Sequence, residues 1–276
     1  MMHPPRTTPE RFALLDRLES EVLDLQGSAA WARYLSAQAR FHRYSPRNVM
    51  LITMQRPDAS HVAGFGTWRT LGRTVRKGEQ AISILAPMIT TDEEGGRAIR
   101  GFRWVSVFDI AQTEGAELPQ PVQILEGEDP GRLEDRLVAV AKELGLSVER
   151  SALAAGVNGE LRWSSATIVL APENPAVQRI KTLAHELGHA LLHRHEPDRA
   201  RAEIEAESVA YVVLANLGLD SSPYSAGYLS SWIGNEGDVR EAIRRSCTAI
   251  STASQRILEI LERRAAPRSS QLHIAS

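Results

Sequence analysis

His185-Glu186-Leu187-Gly188-His189, in the C-terminal half, sets two histidines four positions apart with a glutamate between them. A helix returns residues i and i+4 to one face, so His185 and His189 point at one ion and Glu186 stands beside them. Zinc held by three protein ligands keeps its fourth position for water, whose pKa falls to about 7. The pattern therefore predicts a hydrolase in which Zn2+ is bound by His185 and His189 and Glu186 is the general base. Working outward, Asn174-Pro175 reads as the N-cap and first position of this helix, which runs to Leu192. Its apolar stripe is Val177, Ile180, Ala184, Leu187 and Leu191. At about 100° per residue the two histidines lie on the opposite side of the helix from that stripe.

A third ligand is needed. His193 lies about 12 Å along the axis from His185, too far for all three imidazoles to share one ion. His195 occupies the third-histidine position of H-E-x-x-H-x-x-G-x-x-H, but Leu192 stands where that pattern turns on glycine. The other candidates are Glu203, Glu205 and Glu207, which open a helix running to about Leu217 with the stripe Ala202, Ala206, Val209, Ala210, Val213 and Leu217. Glu203 lies nearest the inward face, about 70° from its centre, against about 90° for Glu205 and about 110° for Glu207. Glu203 is the expected ligand. Glu207, one turn on, is expected to accept a hydrogen bond from a ligand imidazole, and Glu205 reads as a solvated first-turn acid complementing the helix dipole.

Leu183 to Leu192, with Glu203, Ala206-Glu207 and Val209-Ala210, resembles the ImmA/IrrE-type zinc metallopeptidases, which pair HELGH with a downstream E-x-x-A-N or E-x-x-A-D. The resemblance implies His185, His189 and Glu203 as zinc ligands and Glu186 as general base. Glu207 stands where family members usually carry Asn or Asp.

The length of 276 residues predicts two modest domains. Net charge is only -2, but it is unevenly spread: Arg33 to Lys77 holds nine basic residues against the single acid Asp58, and Ala111 to Pro130 holds five acids and no base. The lone cysteine, Cys247, excludes an intramolecular disulfide framework and reads as a small core residue. No run of about 18 apolar residues occurs and Met1 to Glu10 lacks an apolar leader region, so a soluble, cytoplasmic protein with no membrane partner is expected.

Helices are expected over about Pro9–Leu25, Ser28–His42 and from Ser45-Pro46 to Gln55, the second with a core stripe of Trp31, Leu35, Ala39 and His42. A strand at Val62–Phe65, a helical turn at Trp68 and strands at Ala81–Thr90 and Ile99–Ile110, joined by a hairpin turn at Asp92–Gly96, follow. After a Glu, Gly and Pro-rich stretch come a helix (Leu133–Leu144), strands near Leu146–Glu149, Glu160–Trp163 and Ala166–Leu170, the two site helices and one or two C-terminal helices. The expected domains are thus 1–118, a linker at 119–131, 132–264, and a disordered tail at 265–276.

Ten of the fifteen aromatic residues fall in the first 110 positions, among the basic cluster. Proteins that hold single strands track phosphates with positive charge and stack rings on bases, at about 1 to 3 kcal/mol per base. Most of these rings, Trp31 and Phe102 among them, read as core. Tyr44-Ser45, Asn48, Gln55 to Ala59, Val62 to Phe65, Thr67-Trp68, Leu71 to Arg73, Val75 to Glu79 and Ile84 to Pro87, with Phe108-Asp109-Ile110 and Gln112 to Gly115 beyond, look like the N-terminal domain of ArdC-type antirestriction proteins. That resemblance implies single-stranded DNA binding joined to a metallopeptidase-like domain, in the order seen here. Arg73, Arg76 and Lys77, in a loop where Gly78 allows close backbone approach, are the expected phosphate contacts, with Arg47 and Arg56; Tyr44 and Trp68 are the expected stacking rings.

The expectation is an α+β protein: a small α+β single-stranded DNA-binding domain, then a zincin-like metallopeptidase domain that cleaves a protein substrate with a zinc-bound water activated by Glu186. The sequence assigns no oxyanion donor; Tyr224 and Tyr228 are the nearest candidates, and neither is chosen. Two rivals are a DNA-coating antirestriction protein in which zinc is structural, and a regulatory protease acting on a repressor.

Overall fold

In the computed structural model, which describes residues 8–91, 96–117, 130–219 and 238–265, alternating and helical hydrophobic periods build two units. The first comprises Met1–Leu25 and Tyr44–Pro121. It contains α1 (Thr8–Asp24), α3 (Pro46–Gln55), β1 (Val62–Gly64), α4 (Phe65–Thr70), β2 (Arg73–Val75), β3 (Ile82–Thr91), β4 (Arg97–Asp109) and β5 (Thr113–Gly115). An antiparallel sheet runs β1-β4-β3, and β2 pairs with β5 in a second ribbon. Ser45 caps α3 through its hydroxyl, with Pro46 at the first turn.

An edge strand leaves backbone groups unpaired, and α3 supplies their partners on β3. The Asn48 side chain accepts from the Leu85 N–H at 2.9 Å and donates to its carbonyl at 2.8 Å. About two turns further on, Gln55 makes the same two bonds to Ser83, at 2.9 and 2.8 Å. Leu51, Ile52, Trp68, Ile82 and Val107 fill the core of this unit.

The second unit comprises Gln26–Arg43 and Val122–Ser276, so α2 (Ser28–Arg40) belongs here and not to a contiguous 1–118 domain. The physical reason is the stripe of α2. Trp31, Leu35 and Ala39 are buried, the Trp31 indole N–H donates to the Ser208 hydroxyl at 3.2 Å, and the Asn216 amide donates to the Ala39 carbonyl at 3.0 Å. The rest of this unit is α5 (Pro130–Glu143), β6 (Ser147–Arg150), β7 (Gly159–Arg162), β8 (Thr167–Leu170), α6 (Ala176–Leu192), α7 (Arg199–Asn216) and α8 (Val239–Ala265). Its sheet runs β6-β8-β7, with β6 parallel and β7 antiparallel to the buried central β8. Cys247 is buried in α8 as expected, and burial pushes its thiol up to about 12.

Several expectations need correcting. Pro175, not Asn174, is the N-cap of α6; the Asn174 amide instead donates to the Asn158 side chain at 3.0 Å. Val177 leaves the apolar stripe and is 54% exposed, because the core begins at Ile180. Phe102 is exposed rather than core. Ala265 ends α8 and so is not part of a tail; 266–276, most of the expected linker, residues 92–95 of the expected hairpin turn, and Tyr224 and Tyr228 lie outside the described residues.

Glu134 on α5 ties the sheet to the helix that carries the histidines. Its enclosed carboxylate meets the Arg150 guanidinium at 2.7 Å and that of Arg179, on α6, at 3.0 Å. Burial opposes its charge, and the two arginines more than offset this, holding the carboxyl below its ordinary pKa. A depressed folded pKa means stability that is present above the ordinary carboxylate range and lost as pH falls through the folded value. Glu134→Gln should therefore cost about 2 to 3 kcal/mol in urea unfolding near neutral pH, the half-exposed Arg150 moderating the usual penalty for an orphaned buried charge. The difference from wild type should shrink progressively under acid conditions, below about pH 4.

Candidate metal centre

α6 and α7 bring three donors together. The Nε2 atoms of His185 and His189 lie 3.0 Å apart, and the Glu203 carboxylate faces both, at 3.3 Å from His185 and 3.5 Å from His189. One ligand atom from each of the three residues lies within 4.8 Å of the others. Two imidazoles and a carboxylate converge on one point, and this donor set suits a divalent ion. The Glu203 side chain is 64% exposed, so the point faces solvent and leaves room for a further ligand. His195 is exposed and outside the cluster.

Both imidazoles are held from behind. His185 Nδ1 lies 3.3 Å from the Glu207 carboxylate, which is itself paired with the Lys181 ammonium at 2.8 Å. His189 Nδ1 lies 3.0 Å from Nδ1 of His193, whose Nε2 lies 3.0 Å from Glu205. The Ser246 hydroxyl on α8 donates to the other Glu205 oxygen at 2.5 Å. Glu205 is thus not the solvated first-turn acid expected from the helical wheel. α2, α6 and α8 all pack on α7, and Glu205 is only 6% exposed.

These contacts set the charges. Burial opposes a proton on His185, but the Glu203 and Glu207 carboxylates outweigh it and raise the imidazole to about 9. Hydrogen bonding to His185 and His189 holds Glu203 far below the usual carboxylate range. Glu186 is buried beside the cluster, and burial raises its carboxyl against the opposing charges of His185 and His189. The backbone N–H of Leu161, on β7, partly offsets that rise. β7 is an edge strand paired only with β8 among the described residues.

Gly188 explains how Glu203 reaches the histidines. A Cβ at this position would stand 3.0 Å from the Ala206 Cα and 3.3 Å from its carbonyl oxygen, both backbone atoms of α7. Only glycine lets the helices approach this closely. Gly159, where a Cβ would meet Thr182 at 2.3 Å, brings β7 equally close to α6. Neither role is visible as a sequence period.

Residues 14–142 match the family described as the N-terminal domain of anti-restriction factor ArdC, and residues 141–216 match the IrrE N-terminal-like domain family. The chain joins an ArdC-like N-terminal domain to an IrrE-like, zincin-like domain. An uncharacterized protein of Bacillus anthracis is 27% identical over 269 residues, covering 78% of this chain. The chain spans 45% of that relative's length. Two solved structures of the antirestriction ArdC protein from the R388 plasmid also match. The metal-free form has 22% identity and TM-score 0.49 over 79% of this chain and 85% of its own; the Mn(II)-bound form has 21% identity and TM-score 0.49 over 83% and 97%.

In the ArdC-like unit the basic and aromatic residues are used differently from the expectation. Trp68 is 2% exposed and its indole N–H donates to the Phe108 carbonyl at 2.9 Å, so it is core and offers no face to a base. Tyr44 is half-buried, its hydroxyl donating to the Val62 carbonyl at 2.8 Å. Arg73 lies on β2 rather than in a loop, and its guanidinium donates to the Thr113 hydroxyl at 2.7 Å and to the Ala116 carbonyl. Arg76 pairs with Glu79 at 2.8 Å and donates to the Ala111 carbonyl. Arg56 lies 3.6 Å from Asp58. Arg47 and Lys77 are exposed and make no ion pair among the described residues.

Replacing Gly188 separates helix propensity from interhelical space. Alanine gains about 1 kcal/mol of helix propensity but must push aside a backbone, at about 1 to 3 kcal/mol. Gly188→Ala should therefore be destabilised by about 1 kcal/mol net and Gly188→Val by clearly more. Both should bind divalent metal more weakly than wild type in chelator competition, since Glu203 is carried away from the histidines.

Proposed function

We propose that this protein is a zinc-dependent peptidase whose ArdC-like unit binds single-stranded DNA. The observation that carries the metal half is the convergence of His185, His189 and Glu203 beside the enclosed carboxylate of Glu186. Two imidazoles and a carboxylate with an open position are a zinc donor set, and His185, His189 and Glu203 would hold the ion. When bound, such an ion lowers the pKa of a water ligand and polarises a carbonyl. Glu186 takes a proton from the attacking water and returns it to the leaving amine, a role favoured by a carboxyl whose pKa burial has raised. An extended peptide suits the outer edge of β7, whose Leu161 faces Glu186, by adding as a strand.

The DNA half rests on the ArdC-like domain and on its excess of basic residues from Arg47 to Lys77, six against the single acid Asp58. Arg47 and Lys77 are the exposed phosphate contacts. Arg73 and Arg76 add positive charge at positions fixed by the carbonyls they bind.

The purified protein should carry about one zinc per chain by elemental analysis. His185→Ala and Glu203→Ala should lose it. Glu186→Gln should keep zinc and fold while any peptide cleavage falls about 10²- to 10⁴-fold. Wild-type protein that loads zinc yet cleaves nothing, with single-stranded DNA present, would instead favour the DNA-coating role.

For DNA, the full chain should bind a labelled single-stranded oligonucleotide more tightly than duplex, with affinity falling as salt rises at a log-log slope of about -0.7 per phosphate neutralised. Arg47→Glu with Lys77→Glu should weaken binding and flatten that slope. Equal affinity for duplex, or an unchanged slope in the double variant, would reject this surface.

A further inference from the structure

His193 stands behind His189, and the chain of hydrogen bonds through it has a direction. Ser246 can give Glu205 only a hydroxyl proton, at 2.5 Å. A carboxylate oxygen accepts, so the contact from His193 Nε2 at 3.0 Å places the proton on that nitrogen. A neutral His193 protonated at Nε2 carries its lone pair on Nδ1. Nδ1 of His193 faces Nδ1 of His189 at 3.0 Å, so His189 must supply the proton of that bond. A neutral His189 protonated at Nδ1 carries its lone pair on Nε2, the atom 3.0 Å from His185 Nε2 and 3.5 Å from Glu203. Every donor in the series then has one acceptor, and all of it is enclosed: His193 is 8% exposed, Glu205 6% and Ser246 1%.

We infer that His193 and Glu205 are positioning residues that set the tautomer of His189, so that the metal-facing nitrogen is the unprotonated one. This rests on the reading of His185, His189 and Glu203 as a metal centre. It differs from the support of His185, which comes directly from the Glu207 carboxylate. His193 is too far along α6 from His185 to share an ion with it, and its buried imidazole acts on the ion only through its neighbour. The series also joins the centre to α8, the helix that carries Ser246.

Outer partners of metal-bound imidazoles contribute about 10- to 100-fold in metal affinity. His193→Phe keeps the ring but offers no acceptor to His189, and it strips one oxygen of the buried Glu205 carboxylate of its partner, leaving Ser246 at 2.5 Å and Arg201 at 4.0 Å on the other. His193→Phe with Glu205→Leu removes that half-paired carboxylate, so it tests the series even if the single variant does not fold. The double variant should melt close to wild type when metal-free yet bind zinc about 10- to 100-fold more weakly in chelator competition. Glu205→Gln should stay near wild type, because its amide oxygen accepts from His193 while its NH2 group donates to Ser246. In the zinc-loaded wild type, long-range proton–nitrogen NMR should find the His193 proton on Nε2.

Wild-type zinc affinity in a folded double variant, a Glu205→Gln loss as large as that of the double variant, or a His193 proton on Nδ1 would each overturn the inference and leave the metal centre standing. A wild-type chain that binds no zinc would overturn the metal centre itself.

Discussion

The approach of α6 to α7 at Gly188 governs the rest of the C-terminal unit. Two helices pack at a distance set by the side chains between them, and a Cβ here would meet the Ala206 backbone at 3.0 Å. Removing that one carbon puts the first turns of α7 within reach of the imidazoles of α6. Glu203 then faces His185 and His189, and Glu207 reaches the far nitrogen of His185. The α5–sheet–α6 ion-pair cluster of Glu134, Arg150 and Arg179 holds the start of α6 against the strands, so the closeness at its centre is not relieved by tilting.

The three glutamates of α7 illustrate how one helical turn distributes different tasks. Glu203 looks outward to His185 and His189, Glu207 backs one imidazole, and Glu205 looks the other way into the helical core. A carboxylate in that core is costly unless it is paired. Glu205 is satisfied on one oxygen by Ser246 and on the other by His193. The same bonds that make its burial tolerable give the imidazole series its direction, so packing and metal chemistry are solved together.

In the ArdC-like unit the polar residues first complete the backbone. Asn48 and Gln55 close the edge of β3, and Arg73 and Arg76 occupy carbonyls near β5. A guanidinium bound to a carbonyl keeps its full charge, so these arginines still contribute to the positive field while being fixed in place. Arg47 and Lys77 are exposed and make no ion pair among the described residues. Trp68, by contrast, is wholly committed to the core.

The local signals of the chain were enough for the elements and for the centre of the site. The i, i+4 spacing of His185 and His189 and the period of Ala202 to Leu217 are properties of a single helix, readable without any neighbour. The helix start at Ser45-Pro46 is local in the same sense. What a residue faces across an interface is not. Burial of Glu205 depends on α8, some forty positions away (41 to Ser246), and the allegiance of α2 depends on Ser208, 177 positions from Trp31. His193 was set aside by its distance along α6 from His185, a correct reason for excluding a shared ion that says nothing of a hydrogen bond to His189. Periodicity ranks directions around one axis, whereas exposure, pairing and tautomer are decided by whichever element packs there, and only the tertiary structure supplied that.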